Sequence, residues 1–249
     1  MLFRSLRLIA AQPDIRLRVL FERIPENPMD PGFGRRLAWD VPLLEGYDHG
    51  LLTATTLRRE LAACDVAWLH GWQGWKMKAA LMAARARGRP VLMRGENWTG
   101  AMPDGPIKRI GLGMLFARCD GFLAIGTRNR EYYARLGVAP TRLFDMPYAV
   151  DNDFFARNAA VTDIAALRVR LGLPPDRPIV LFAGKLQRRK HPHTLLAAWK
   201  RAFAETKTRP LLVFVGDGSM ARALETGDPD VIFLGFQPDG DAWPLRHGR

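Results

Sequence analysis

Short apolar runs rich in β-branched residues alternate with amphipathic stretches along the whole chain, the pattern of parallel strands with helices on the faces of their sheet. In the first part, residues 17–21, 66–69, 90–94, 121–125 and 143–148 predict strands. Between them, 74–87, 107–118 and 127–136 carry apolar residues at helical spacing and close on a glycine or an acidic turn residue. Together these predict one doubly wound domain. A second series follows the turn at 172–178, with strands at 179–182, 211–215 and 231–234 and helices at 192–205 and 220–225. All three later strands carry apolar residues on both faces, and parallel sheets are buried on both sides. Only two helices lie within that series to cover them, so the second unit reads as incomplete. The expectation is an α/β chain of two domains, 1–155 and 156–249. The uncovered second sheet would leave the chain poorly stable or aggregation-prone.

Composition narrows the setting. A hydrophobic content of 48% over 249 residues suits packed cores rather than a disordered tail. Cys64 and Cys119 are too few and too far apart for a disulfide framework, so the default compartment is the cytosol. The apolar start is broken by Arg4 and Arg7, and no run reaches the roughly 18 apolar residues of a membrane span. The formal charge of +12 steers the chain toward polyanions: nucleic acid, an anionic membrane surface at which the protein would be peripheral, or phosphorylated small molecules. The arginine and alanine bias of a GC-rich genome accounts for that charge equally well. Nucleic acid is disfavoured because no aromatic-basic stripe or known binding motif is visible.

Candidate chemistry lies at strand ends. Strand 179–182 runs into Gly184-Lys185-Leu186-Gln187-Arg188-Arg189-Lys190, ahead of a helix beginning near Pro192. A glycine, several cations and a helix N-terminus make an anion site in which Lys185 and Lys190 would grip a diphosphate; the alternative is a solvated basic loop. Strand 211–215 ends in Gly216-Asp217-Gly218 with Ala221 beyond, matching the G-x-G-x-x-A dinucleotide fingerprint. An NAD(P)-dependent oxidoreductase is therefore an alternative, as is a non-catalytic polyanion-binding module. Against the oxidoreductase, the ribose-binding acid expected at the end of the next strand is replaced by Gly235-Phe236-Gln237. Gly111 and Gly113 form another G-x-G, but inside a helical pattern that suggests close packing. In the first part, strand ends bring His70, Arg94 and Glu96 to the side of the sheet where doubly wound folds bind ligands. Trp72, Trp75 and Trp98 could stack on a sugar or simply pack.

Gly184-Lys185 with Lys190, then Val215-Gly216-Asp217-Gly218, then Phe233-Leu234-Gly235 resemble, in order and spacing, glycosyltransferase family 4. Pro147-Tyr148-Ala149-Val150-Asp151-Asn152 before Phe154 resembles that family's interdomain motif, with Tyr148-Ala149 where many members have Asn-Gly. The resemblance runs from about Pro25 onward. It implies a GT-B-like fold of two Rossmann-like, doubly wound parallel-sheet domains, the second incomplete, and sugar transfer from a UDP- or GDP-linked donor with retained configuration. The acceptor would be a glycan, a lipid-linked molecule or another compound. No cofactor or metal is implied, the nucleotide sugar being a substrate; Asp151-Asn152-Asp153 and Asp228-Pro229-Asp230 do not stand in the usual setting of a metal-binding D-x-D. On this resemblance Gly184, Lys185, Lys190, Gly216, Gly218, Phe236 and Gln237 bind donor. Glu96 takes the place of a histidine near the reacting sugar, with His70 and Arg94 beside it in the catalytic set. Two departures stand out: the chain begins in what resembles the helix after the family's first strand, and nothing after Gly235 supplies the family's Glu-x7-Glu segment. A partial or inactive transferase is the resulting expectation.

Overall fold

The computed structural model describes residues 2–24, 29–30, 35–36, 44–103 and 105–237. Residues 238–249 lie outside the described residues. The chain divides into two compact units, Met1–Ile24 with Leu43–Val150 and Pro25–Pro42 with Asp151–Arg249.

In the first unit, helix α1 (Leu2–Ala10) leads into strand β1 (Arg18–Phe21). After the short antiparallel pair β2 (Met29–Asp30) and β3 (Arg35–Arg36), assigned to the second unit, comes β4 (Asp48–Leu51), which pairs parallel with β1. The hydrophobic pattern does not mark β4, because Asp48-His49-Gly50-Leu51 has little strand propensity; backbone pairing with β1 holds it. Helix α2 (Ala54–Ala63) is opened by Thr53 and Thr56 in a reciprocal capping box, satisfying two backbone donors at its start.

Strands β5 (Ala67–His70), β6 (Val91–Arg94), β7 (Gly121–Ala124) and β8 (Leu143–Asp145) then form a parallel sheet in the order β5-β6-β7-β8. Its crossovers are α3 (Trp75–Ala86), α4 (Pro106–Phe116) and α5 (Thr127–Arg135). The predicted strand at 143–148 stops at Asp145, since Pro147 lacks a donor and restricts the residue before it. The ladders of this unit are thus in two pieces, β1-β4 and β5-β6-β7-β8. In a doubly wound order of 3-2-1-4-5-6 the first strand lies between two such pieces. The core joins Val91, Met93 and Phe122 to Leu81, Ala84, Phe116 and Tyr133. Trp72 belongs to it, 8% exposed against Phe116, Tyr132 and Tyr133. It is a packed core residue, while Trp75 and Trp98 are exposed.

The second unit opens with α6 (Asn152–Val161), capped by the Asp151 carboxylate, and α7 (Ile164–Arg170), capped by Asp163. Strand β9 (Ile179–Ala183), helix α8 (Pro192–Ala202), strand β10 (Leu211–Val215), the short α9 (Ala221–Leu224) and strand β11 (Val231–Gly235) follow. The parallel sheet has the order β11-β10-β9. Every residue of the central β10 is buried, and its alternate side chains enter different cores. Leu212 and Phe214 meet Leu196 and Trp199 of α8, Leu186 and Leu224. Leu211, Val213 and Val215 meet Leu167 of α7 and Leu173. Two helices inside the series were expected to be the only cover; Leu167 of α7, which precedes the series, packs on the centre of the second face, while Ile179, Leu181, Ile232 and Leu234 on the flanking strands stay only partly buried. The period of α7 is readable, but nothing local reveals which sheet it covers.

Candidate active site

At the carboxyl ends of β9, β10 and β11 two loops are laced together by backbone hydrogen bonds. Gly184 N–H donates to Val215 O (2.9 Å) and Gly216 N–H to Gly235 O (2.7 Å). Leu186 N–H donates to Asp217 O, and Met220 N–H to Leu186 O, each at 2.9 Å. The approach explains the glycines. A Cβ on Gly216, whose φ is 126°, would overlap the Gly184 carbonyl, and one on Gly218 would lie 2.6 Å from Leu186 O. Gly184, Lys185, Gly216 and Gly218 are therefore gathered at one edge of the sheet. Phe236 and Gln237 follow directly on the β11 tip, where Gln237 Nε2 donates to Leu234 O at 2.6 Å.

Lys190 is set further along, exposed at the end of a single 3-10 turn, Arg188–Lys190. The next residue, His191, adopts a left-handed backbone (φ 55°) and opens α8. That helix start lies beside a cluster of cations, and because Pro192 has no N–H and the Thr194 N–H donates to His191 O (3.1 Å), it is chiefly the cations that favour an anion there. The other end of the sheet is electrostatically closed: Arg177 pairs with Asp230 at 2.6 Å and Arg209 with Asp228 at 2.8 Å. The carboxylates of Asp228-Pro229-Asp230 are thus held in ion pairs, and the Asp151 carboxylate caps a helix.

In the first unit, His70 and Arg94 are register partners at the ends of β5 and β6, with Glu96 two residues beyond. The structure brings these three together. Arg94 is fully buried; its guanidinium stands 4.9 Å from the centre of the Tyr148 ring, its Nη1 reaches Met146 Sδ at 3.9 Å, and its Nε and Nη2 have no hydrogen-bond partner among the described residues. The Tyr148 hydroxyl donates to the Glu96 carboxylate. Loss of hydration and the Glu96 charge together push the Tyr148 phenol up to about 12. The His70 imidazole is held below its ordinary range, first by desolvation and then by the Arg94 cation, with Glu96 opposing. A neutral ring is therefore favoured.

The strand end is pinned from below. Gly95 leaves room for the Trp72 ring, which a Cβ would overlap. The buried Asn129 side chain donates to Gly95 O at 3.1 Å and to Asn97 O at 2.5 Å, while accepting from Ile125 N–H. Neither Asn129 nor Tyr148 stands out as a site residue in the sequence. Asn129 is one polar residue in the first turn of α5, and Tyr148 reads only as a departure from the interdomain motif. Of the paired glycines in α4, Gly113 approaches Leu136 O (3.3 Å from a built Cβ), whereas Gly111 faces open space, so close packing accounts for the first alone.

The family model for glycosyl transferases group 1 matches residues 163–246. A D-inositol 3-phosphate glycosyltransferase of Xylanimonas cellulosilytica is 30% identical over 223 residues, covering 85% of this chain and 50% of that protein. The chain is a glycosyltransferase family 4-like protein. A second relative in the family, the D-inositol 3-phosphate glycosyltransferase of Segniliparus rotundus, is 31% identical over 195 residues, 72% of this chain and 40% of its own. The chain thus spans about half the length of the curated relatives it matches. Among solved structures, Anabaena HepE in complex with UDP superposes with a TM-score of 0.61 at 16% identity, over 82% of this chain and 60% of that one. A glycosyltransferase from Rickettsia africae gives 0.59 at 12% identity, over 80% and 57%. These likenesses establish a GT-B-like α/β fold with parallel sheets. The oxidoreductase and polyanion-module alternatives are not favoured.

Proposed function

We propose that this chain serves transfer of a sugar from a nucleotide-sugar donor to a glycan, lipid-linked or other acceptor. The observation that carries the reading is the lacing of Gly184-Lys185-Leu186 to Gly216-Asp217-Gly218 at the sheet edge, which leaves glycine-lined backbone beside cations. In this reading Lys185 and Lys190 hold the donor diphosphate, Gly184, Gly216 and Gly218 let it approach the backbone, and Phe236 and Gln237 flank the base. As the bond between the anomeric carbon and the phosphate oxygen breaks, negative charge grows on the departing diphosphate, where fixed cations lower the barrier. The new bond joins that carbon to the acceptor oxygen, whose proton passes to the departing diphosphate oxygen, with configuration retained. Glu96, held by Tyr148, and His70 are the first unit's candidates for the reaction itself, with the buried Arg94 behind them as the cation that supports them. The nucleotide sugar is a substrate, and no resident cofactor or metal is assigned.

The names of the relatives make D-inositol 3-phosphate the first acceptor to test, and HepE bound to UDP makes UDP the first nucleotide. We place the protein in the cytoplasm, with peripheral contact at an anionic membrane face. Binding is the primary readout. Calorimetric titration with UDP and GDP is expected to show saturable binding of one or both. Replacing both Lys185→Ala and Lys190→Ala is expected to weaken it by several kcal/mol, since a charge-assisted hydrogen bond contributes about 1.5–3 kcal/mol. Unchanged affinity in the double variant would remove the donor assignment.

A further inference from the structure

Among the described residues, Arg94 is the one charged side chain that is fully buried, and none of the ion pairs between them includes it. A guanidinium keeps its proton inside a protein, so the charge persists and its burial is costly unless an anion meets it. What Arg94 has instead is the Tyr148 ring beside it and a long contact from Nη1 to Met146 Sδ. The two nitrogens left without partners among the described residues, Nε and Nη2, belong together. Their N–H bonds run parallel along one edge of the planar group, the edge that receives two oxygens of an oxyanion side by side. Strand alternation sends Arg94 and its register partner His70 to the face of the sheet opposite Leu69 and Met93, which enter the core. Glu96 is exposed, and Tyr148 is half-buried on a segment, 146–151, that forms neither helix nor strand. The hydroxyl of Tyr148, donated to Glu96, ties that ring in place.

Deepening the acceptor side of the reading above, on which it rests, we propose that the Nε–Nη2 edge of Arg94 binds a phosphate group carried by the acceptor, with Tyr148 as the cover that turns aside to admit it. A phosphate offers two oxygens to the fork and leaves a third for the neighbouring imidazole, and its charge offsets the buried cation more fully than a carboxylate does. The opening requires one hydrogen bond to be exchanged: Tyr148 releases Glu96, the ring swings out with its irregular segment, and Glu96 is freed for the substrate. The donor diphosphate is the other source of phosphate oxygens, and the arms of the experiment separate the two.

The test requires no sugar transfer. In the 249-residue chain the Nε–H proton resonance of Arg94, assigned by through-bond connectivity to the β6 backbone, is followed as inorganic phosphate is added. It is expected to move downfield saturably, to do so equally in the Lys185→Ala/Lys190→Ala chain, and to move little with acetate or with UDP. Tyr148→Phe, which unties the cover, should tighten phosphate binding severalfold. Arg94→Lys in the Lys185→Ala/Lys190→Ala background should weaken calorimetric phosphate binding at least about tenfold, since a point charge replaces a bidentate fork. Arg94 is buried and its variant could fold poorly, but the resonance is read in the parent and does not depend on it. Four results would overturn the assignment. They are a resonance that phosphate leaves in place, one that acetate moves as far, one that UDP moves while the lysine variant loses the phosphate effect, and one that Tyr148→Phe moves without phosphate unless Glu96→Gln is added. The third would give the edge to the donor and the last to an internal pair with Glu96. UDP binding by the parent tests the transferase reading itself, so UDP bound beside an unmoved Arg94 would remove the phosphate site alone.

Discussion

Gly216 shows how one residue can carry both packing and chemistry. Its backbone, at φ 126°, lies in a region that L side chains rarely adopt, and the Gly184 carbonyl occupies the place of a Cβ. Gly216→Ala is therefore expected to destabilise the second unit by roughly 2–3 kcal/mol, read as an earlier urea midpoint. A midpoint equal to the parent's would contradict the close crossing of the two loops. The need for glycine at 216 and 218 was legible in the sequence because both fall between a strand and a helix in a recognisable spacing. The roles of Asn129 and Tyr148 were not, since each depends on an acceptor more than thirty residues away in sequence. The same holds for Trp72: its neighbourhood left stacking on a sugar and packing both open, and its contacts place it in the core.

Among the elements, the sheet of the second unit shows why its two ends differ. The carboxyl ends of β9, β10 and β11 carry glycine loops, while the amino ends are joined by Arg177, Arg209, Asp228 and Asp230. The Arg177 guanidinium, with Arg209 behind it, holds the Asp230 carboxyl below its usual range against the opposing effect of burial. A folded value below the unfolded one means that the stabilisation is present above the unfolded value and is lost as pH falls toward and through the folded one. Hydrogen-exchange protection of β10 should accordingly decline below about pH 4, and Asp230→Asn should flatten that part of the profile. A profile unaltered by the substitution would assign the acid sensitivity to other groups. The strand–helix alternation was readable here, with ends within a few residues of those observed. The cover supplied by α7 was not, because a helical period specifies an apolar stripe without naming the sheet it meets.

For the whole molecule, a nucleoside diphosphate that binds the folded chain must raise its stability by mass action. At a ligand concentration about 100 times Kd the gain is about 2.7 kcal/mol. For a single transition of a chain of this size that corresponds to a rise in Tm of roughly 5–10 °C. Thermal shift with UDP and GDP checks this, and the Lys185→Ala/Lys190→Ala pair should abolish it. A shift retained in full by that variant would place the nucleotide elsewhere.

The sequence by itself determined the α/β class, most strand and helix positions, and the glycine and lysine pattern that marks the candidate donor edge. These are consequences of periodicity and of residues with a singular conformational or electrostatic property, and they act over a few residues. Only the tertiary structure decided that β1 pairs with the polar β4, that α7 packs on the centre of the second face of the β11-β10-β9 sheet, and that Arg94 lies buried beneath a tyrosine bonded to Glu96. Each of those outcomes depends on which distant surfaces meet, a choice set by packing across the fold and written in no local stretch of the chain.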